Sequence, residues 1–176
     1  AEIKNCRFLN CIMNYTDFSN AKISGGSFAY TDLRSVDFKN AFITDCKFDY
    51  SVMPGSKFLR VSIQRSTFTG ADLAGADISD SDLSTVSFSY AVLDRLRVIN
   101  SRIREADFSY SHIDSGLFTG SDLTGAVFKD SFLRGAVFKN IKITGGNFIN
   151  AYMPGSILSH SDISGSVMTR GYMAGI

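Results

Sequence analysis

The protein has 176 residues with 18 basic and 17 acidic side chains, and its formal net charge is +1. This balance argues against a generic nucleic-acid binder, which carries a basic surplus, and against a strongly acidic surface. No apolar run approaches the roughly 20 residues that cross a bilayer, and no charged-then-apolar signal peptide is visible. We therefore expect a cytoplasmic protein of ordinary single-domain size, without membrane association or direct nucleic-acid binding.

A five-residue repeat runs through the whole chain from its first residues. Every fifth residue from Ile3 to Met173 is Phe, Ile, Leu, Met or Val, and we call these positions the centres. The residue two positions before a centre is small in 30 of 35 cases, and the residue two positions after it is Gly, Asn or Asp in 21 of 35. The sequence thus predicts one domain, residues 1–176, made of consecutive pentapeptides.

A period of five is neither the 3.6 of a helix nor the 2 of an ordinary strand. Each pentapeptide is therefore predicted to contain a short extended side and a corner. Gly, Asn and Asp tolerate a positive φ, which places the corner two residues after each centre. An apolar centre turned inward on every side closes the chain into a coil, and successive coils bury their centres against one another.

The centres also indicate how many sides a coil has. Phe occupies 13 of the 17 centres at positions 8, 18 and onward to 168, and none of the 18 at positions 3, 13 and onward to 173. Two alternating classes of side favour an even number of sides. Four sides would give 20 residues per coil and place Phe on two opposite walls, although the composition leaves other even numbers open.

The units "TDLRS" (31–35), "ADLAG" (71–75) and "ADFSY" (106–110) resemble the A(D/N)LXX consensus of the pentapeptide-repeat family. The resemblance covers the whole chain in unbroken register. It implies an all-β fold, a right-handed, four-sided parallel β-helix. At 20 residues per coil, 175 residues make about 8.75 coils without a break.

In such a fold residues 20 apart stack, so that the outward positions form columns. One corner column holds four tyrosines and is interrupted by Gly70. A column on the next wall, which includes Ile12 and His112, is aromatic or apolar apart from Asp32 and Asp72. An exposed strip of this kind is typical of a contact surface, although stacked aromatic rings also stabilise a flat β-wall. The candidate protein-binding residues are Tyr30, Tyr50, Val52, Tyr90, Val92, Tyr110, Phe132, Tyr152 and Tyr172.

The charged residues also fall into columns. Asp82, Arg102, Asp122, Lys142 and Asp162 alternate in sign, as do Lys57, Asp77 and Arg97 on the adjacent wall. This pattern predicts a ladder of opposite charges across coils, which fixes register. A phosphate-binding patch is the alternative interpretation of Arg95, Arg97, Arg102 and Arg104, but Asp77, Asp80, Asp82 and Glu105 lie near enough to neutralise much of it.

The sequence offers little for catalysis, metals or cofactors, so we predict a protein that is not an enzyme. His112 and His160 fall on different walls, and no Cys/His set has zinc spacing. Cys6, Cys11 and Cys46 occupy small inward positions. Their odd number fits a reducing compartment better than a disulfide framework.

These observations predict a non-enzymatic protein-interaction or scaffold module with an unidentified protein partner. The resemblance supplies one alternative, because quinolone-resistance members of the family bind DNA gyrase and imitate duplex DNA; a net charge of +1 offers little imitation of phosphates. A structural segment of a larger protein or a secreted effector is another, since the sequence starts without Met. Apolar residues near the C-terminus, Met173 and Ile176, predict self-association through the last coil.

Overall fold

The computed structural model describes residues 1–175. Ile176, one of the two residues predicted to take part in self-association, lies outside the described residues. Short parallel strands and isolated parallel bridges join residues 20 positions apart and stack into a β-solenoid of about eight turns. No helix occurs in this part of the chain. The predicted all-β solenoid of 20-residue coils is confirmed.

A left-handed residue closes every side of every coil. Each fifth residue from Asn5 to Gly175 has a positive φ, between 46° and 76°. Most corners are closed by a hydrogen bond from the residue after the corner to the preceding centre, as between the Thr16 amide and the Met13 carbonyl at 3.3 Å. This bond and the positive φ together match the type II turn that the corner residues predict.

The four walls of a coil are numbered here after the first four centres, which are Ile3, Phe8, Met13 and Phe18. One sheet, in the order β1-β2-β3-β5, forms wall 1 of the first coils, and the other, in the order β4-β6-β7-β8-β9-β10, forms wall 4 of the later coils. The strands are β1 (Glu2–Lys4), β2 (Lys22–Ser24), β3 (Phe42–Thr44), β4 (Lys57–Leu59), β5 (Ser62–Gln64), β6 (Asp77–Ser79), β7 (Arg97–Ile99), β8 (Leu117–Thr119), β9 (Val137–Lys139) and β10 (Ile157–Ser159).

The corners that follow these longer strands often use a serine hydroxyl in place of the turn hydrogen bond. The Ser101 hydroxyl accepts the Ser81 amide at 3.1 Å and donates to the Ile99 carbonyl at 2.9 Å. Four other serine hydroxyls likewise accept a hydrogen bond, at 2.9–3.2 Å, from the backbone amide 20 residues earlier in the chain: those of Ser66, Ser81, Ser121 and Ser161. Five corner amides without a turn partner are satisfied in this way, which the small-residue pattern alone did not predict.

Phenylalanine fills the core from two opposite walls, as predicted. The rings on wall 2 stack along the axis from Phe8 to Phe148, for example Phe48 on Phe68 with centroids 4.7 Å apart. Rings of wall 4 meet them edge to face, as Phe38 does with Phe48 at 5.8 Å. The core is therefore a continuous aromatic column whose contacts are the ones that ring quadrupoles favour.

The serine corners lead to a first prediction. Ser101→Ala leaves the buried Ser81 amide without a partner, so we expect a loss of about 1–3 kcal/mol in the free energy of unfolding, measured by denaturant titration. Ser111→Ala is the control, because the Ser111 hydroxyl makes one hydrogen bond, to the Phe108 carbonyl. Without that hydroxyl the Phe108 carbonyl still accepts a hydrogen bond from the Ser111 amide, so no buried group loses its partner. An equal loss in both variants would contradict the role assigned to the Ser101 hydroxyl.

Candidate functional site

The predicted aromatic residues lie along the corner between wall 2 and wall 3. Four tyrosines occupy the corner itself with a left-handed backbone, Tyr30, Tyr50, Tyr90 and Tyr110. Their side chains are 40–60 % exposed. The next column carries the other five, which are 36–55 % exposed: Val52, Val92, Phe132, Tyr152 and Tyr172. We call these nine residues the aromatic strip, and their role in binding stays a prediction.

The tyrosines of the corner column stack in two pairs. Tyr30 and Tyr50 have centroids 5.2 Å apart and planes 10° apart, and Tyr90 and Tyr110 have centroids 4.8 Å apart and planes 7° apart. Gly70 lies between the pairs. A Cβ atom on Gly70 would lie 2.5 Å from Tyr50 Cε1, so the Tyr50 ring lies directly against the glycine backbone.

A second stack begins where the first ends, on the column of wall 3. The imidazole of His112 stacks on Phe132 at 4.6 Å, and Tyr152 stacks on Tyr172 at 5.3 Å. Phe132 and Tyr152 are joined by a tilted contact at 6.2 Å. His112, which belongs to the same predicted column but not to the candidate binding residues, thus continues the aromatic strip.

The charge ladder forms in part as predicted. Arg102 contacts Asp82 at 3.0 Å and Arg97 approaches Asp77 at 3.5 Å. The Asp122 carboxylate, however, accepts the Arg104 Nε at 2.7 Å rather than pairing with Arg102. Three of the four arginines of the alternative phosphate-binding patch are thus engaged by carboxylates.

The ion pair between Arg65 and Asp45 is bidentate, as is that between Arg34 and Asp32. Arg65 Nε and Nη2 each contact an oxygen of Asp45 at 2.8 Å across neighbouring coils. The Thr44 hydroxyl adds a third bond at 2.8 Å. The hydrogen bonds from Arg65, followed by that from Thr44, lower the pKa of Asp45 to about 2.

The remaining reactive groups are dispersed. The three cysteines are free, and burial raises the pKa of the Cys46 thiol. Within residues 1–175 no group of His, Cys, Asp or Glu side chains is arranged to hold a metal ion. The same residues contain no helix of the length and apolarity needed to span a membrane.

Comparison with known families agrees with the coil geometry. The family model described as pentapeptide repeats (8 copies) matches residues 1–40, 66–104, 101–140 and 133–170, which is more than half of the chain. The chain belongs to the pentapeptide-repeat family. Residues 41–65, which the match leaves out, contain β3, β4 and β5, where the extended segment moves from wall 1 to wall 4. The repeat register continues through them with a left-handed residue at each corner.

Two solved structures are similar to this pentapeptide-repeat protein. HetL, involved in heterocyst differentiation regulation in the cyanobacterium Nostoc sp. strain PCC 7120, is 18% identical with a TM-score of 0.65, and the match covers 97% of this chain and 84% of HetL. A trypsin-treated variant of QnrB1, a plasmid-mediated fluoroquinolone resistance protein, is 14% identical with a TM-score of 0.67, covering 94% and 91%. At these identities the likeness shows the fold alone. No curated protein matches the sequence.

The contact between Tyr50 and Gly70 gives a second prediction. Gly70→Ala places a methyl group inside the Tyr50 ring position, so we expect displacement of that ring and a change in the near-ultraviolet circular dichroism of tyrosine. The chain has no Trp to mask the signal. Gly75→Ala is the matched control, because Gly75 has a similar φ of 67° but no atom within 4 Å of an added Cβ. Both variants place an alanine in a left-handed conformation, so the free-energy cost in the backbone is similar. Identical tyrosine spectra for the two variants would contradict the contact between Tyr50 and Gly70.

The Asp45 ion pair gives a third prediction. Arg65→Gln should raise the pKa of Asp45 toward the ordinary value of about 4, measured by NMR titration of its carboxyl carbon. Since the folded pKa is lowered, the pair stabilises the fold above pH ~4 and loses this effect as the pH falls toward 2. Arg60→Gln, which removes a bond to Asn40 instead, should leave the Asp45 titration unchanged. An unshifted Asp45 pKa in Arg65→Gln would exclude the pair as the cause.

Proposed function

We propose that this protein is a non-enzymatic interaction module that holds a partner protein along the aromatic strip. Pentapeptide-repeat proteins are generally structural or interaction modules. The observation that carries the proposal is a row of aromatic side chains that remain 40–60 % exposed along one edge of the solenoid. Tyrosine is enriched at the cores of protein interfaces, and contiguous exposed apolar patches mark contact surfaces.

The dimensions of the aromatic strip suit this role. Tyr30 and Tyr172 are separated by about seven coils, which at about 4.8 Å per coil gives a length of about 34 Å. This length is comparable with the width of a standard protein interface of about 800 Å² per partner. Because every side chain is anchored in a coil bonded to its neighbours, a partner would meet a surface that loses little conformational freedom on binding.

The imitation of duplex DNA finds less support on this surface. The charged columns of the solenoid alternate in sign. Arginines bind several of its carboxylates, among them Asp82, Asp114 and Asp122. A mimic of nucleic acid needs a continuous row of negative charge. The likeness to QnrB1, at 14% identity, concerns the fold alone.

A fourth prediction tests the proposed function. Tyr50→Ala, Val92→Ala and Tyr110→Ala combined should reduce affinity for the partner at least tenfold, since truncation of buried interface anchors costs 1–2 kcal/mol or more each. The partner would be isolated from an extract of the source organism by affinity capture and its binding then measured with purified proteins by calorimetry.

The matched control removes exposed apolar groups elsewhere. Tyr15→Ala, Phe42→Ala and Ile157→Ala combined truncate side chains that are 43–79 % exposed away from the aromatic strip. This control should bind as the unchanged protein does, and circular dichroism should show both triple variants folded. Equal affinity of the two triple variants would show that the aromatic strip only stabilises the fold.

A further inference from the structure

Resting on the proposed function, we propose that the aromatic strip contains a slot between Tyr50 and Tyr90 that receives an arginine side chain of the partner protein. The planar guanidinium would stack between the two phenol rings, and the carboxylate of Asp72 would pair with its charge. The inference combines the interrupted ring stack, the local charge and the preference of arginine for aromatic faces.

The slot arises because one ring of the column is missing. Neighbouring tyrosines stack with centroids 4.8–5.2 Å apart. Tyr50 and Tyr90 are two coils apart, so their backbones are separated by roughly 10 Å. Gly70, between them, contributes no ring, and Tyr50 leans against its backbone. A planar group placed between them would lie within the roughly 6 Å of each ring at which cation–π attraction acts.

Exposure of the rings agrees with an open slot. Tyr90 is 60 % exposed although it stacks on Tyr110, which is only 40 % exposed. Tyr50 is 52 % exposed although it stacks on Tyr30 and covers Gly70. Both rings that border the slot are thus more exposed than Tyr110, the last ring of the column, and about as exposed as Tyr30, the first.

The charge next to the slot is negative. Asp72 follows Gly70 by two residues on the wall 3 column, and Asp49 directly precedes Tyr50. Asp94 lies farther away, at the corner between walls 3 and 4. None of the three forms an ion pair within residues 1–175, whereas Asp32, in the column of Asp72, is bound by Arg34, and Asp114, in the column of Asp94, is bound by Arg134.

In each of these three carboxylates, one oxygen accepts a backbone hydrogen bond and the other does not. The Oδ1 atoms of Asp49, Asp72 and Asp94 accept backbone amides at 3.0–3.1 Å. In the described residues their Oδ2 atoms accept no hydrogen bond from the protein, so these oxygens are available to a donor. The nearest basic side chains in sequence, Lys47 and Arg95, do not pair with them.

Arginine fits this combination better than lysine does. A guanidinium is planar, stacks on aromatic faces, and still presents N–H groups at its edge for a carboxylate. An ammonium group is compact and strongly hydrated, and it gains less from a space one ring thick. The slot therefore predicts a partner with an exposed arginine on an extended or looped segment.

The test uses a five-residue peptide with a central arginine between leucines, titrated into the full chain. Tyr50 and Tyr90 ring resonances, followed by NMR, should shift and saturate. Peptides with citrulline, which is planar and neutral, or with lysine in the same place should bind at least fivefold more weakly. Equal binding of the citrulline peptide would exclude the charge pairing, and equal binding of the lysine peptide would exclude the stacking.

Two variants localise the site. Gly70→Tyr displaces the Tyr50 ring from the glycine backbone and fills the slot with its own ring. Tyrosine is already accepted at the left-handed corners on either side, and we expect this variant to abolish arginine-peptide binding. Asp72→Asn keeps the Oδ1 acceptor but removes the charge, and should weaken binding at least fivefold. Gly75→Tyr, at an open corner on another edge, is the control and should bind normally. Binding that survives Gly70→Tyr would overturn the slot.

The partner protein separates this inference from the proposed function. If the combined alanine variant of the aromatic strip loses the partner while Gly70→Tyr retains it, the strip is an interface and the slot is wrong. If both lose it and Gly75→Tyr does not, the arginine slot is part of that interface.

Discussion

The structure depends on a backbone constraint: one residue in every five must adopt a left-handed conformation. Of the 35 corners, 24 carry a residue other than glycine, each at a cost of about 1 kcal/mol or more. The corners persist because the hydrogen bonds between coils and the stacked phenylalanines offset that cost along the chain. Five-residue sides, inward centres and columns of residues 20 apart all follow from this one requirement.

Most of this architecture could be predicted from the sequence because the constraint repeats without a slip. Centres, corners, coil length and the two phenylalanine walls were all predicted from periodicity and side-chain type. The move of the extended strands from wall 1 to wall 4 was not, because it depends on whether a corner amide is satisfied by a turn or by a hydroxyl. A signal was nevertheless present in Ser81, Ser101 and Ser121, spaced by 20, which had been counted only as small residues.

The candidate site was predictable to the level of columns but not of contacts. The spacing of 20 residues per coil predicted that all nine residues of the aromatic strip lie along one edge. It could not predict that Arg104, rather than Arg102, reaches Asp122, because long side chains choose among partners by rotamer. Nor could it predict that Tyr50 covers Gly70, since the repeat specifies where a side chain starts and not how it leans.

The tyrosines of the corner column raise a question of stability. A tyrosine in the left-handed region costs backbone energy that glycine avoids, while each stacked pair returns about 0.5–1.5 kcal/mol. These two effects are of similar size, so the pairs Tyr30–Tyr50 and Tyr90–Tyr110 need no function to account for them. By the same comparison a tyrosine at position 70 would gain two stacking contacts and lose about as much in the backbone. The missing ring therefore costs the fold little, and the slot beside Asp72 can exist in the free protein without destabilising it.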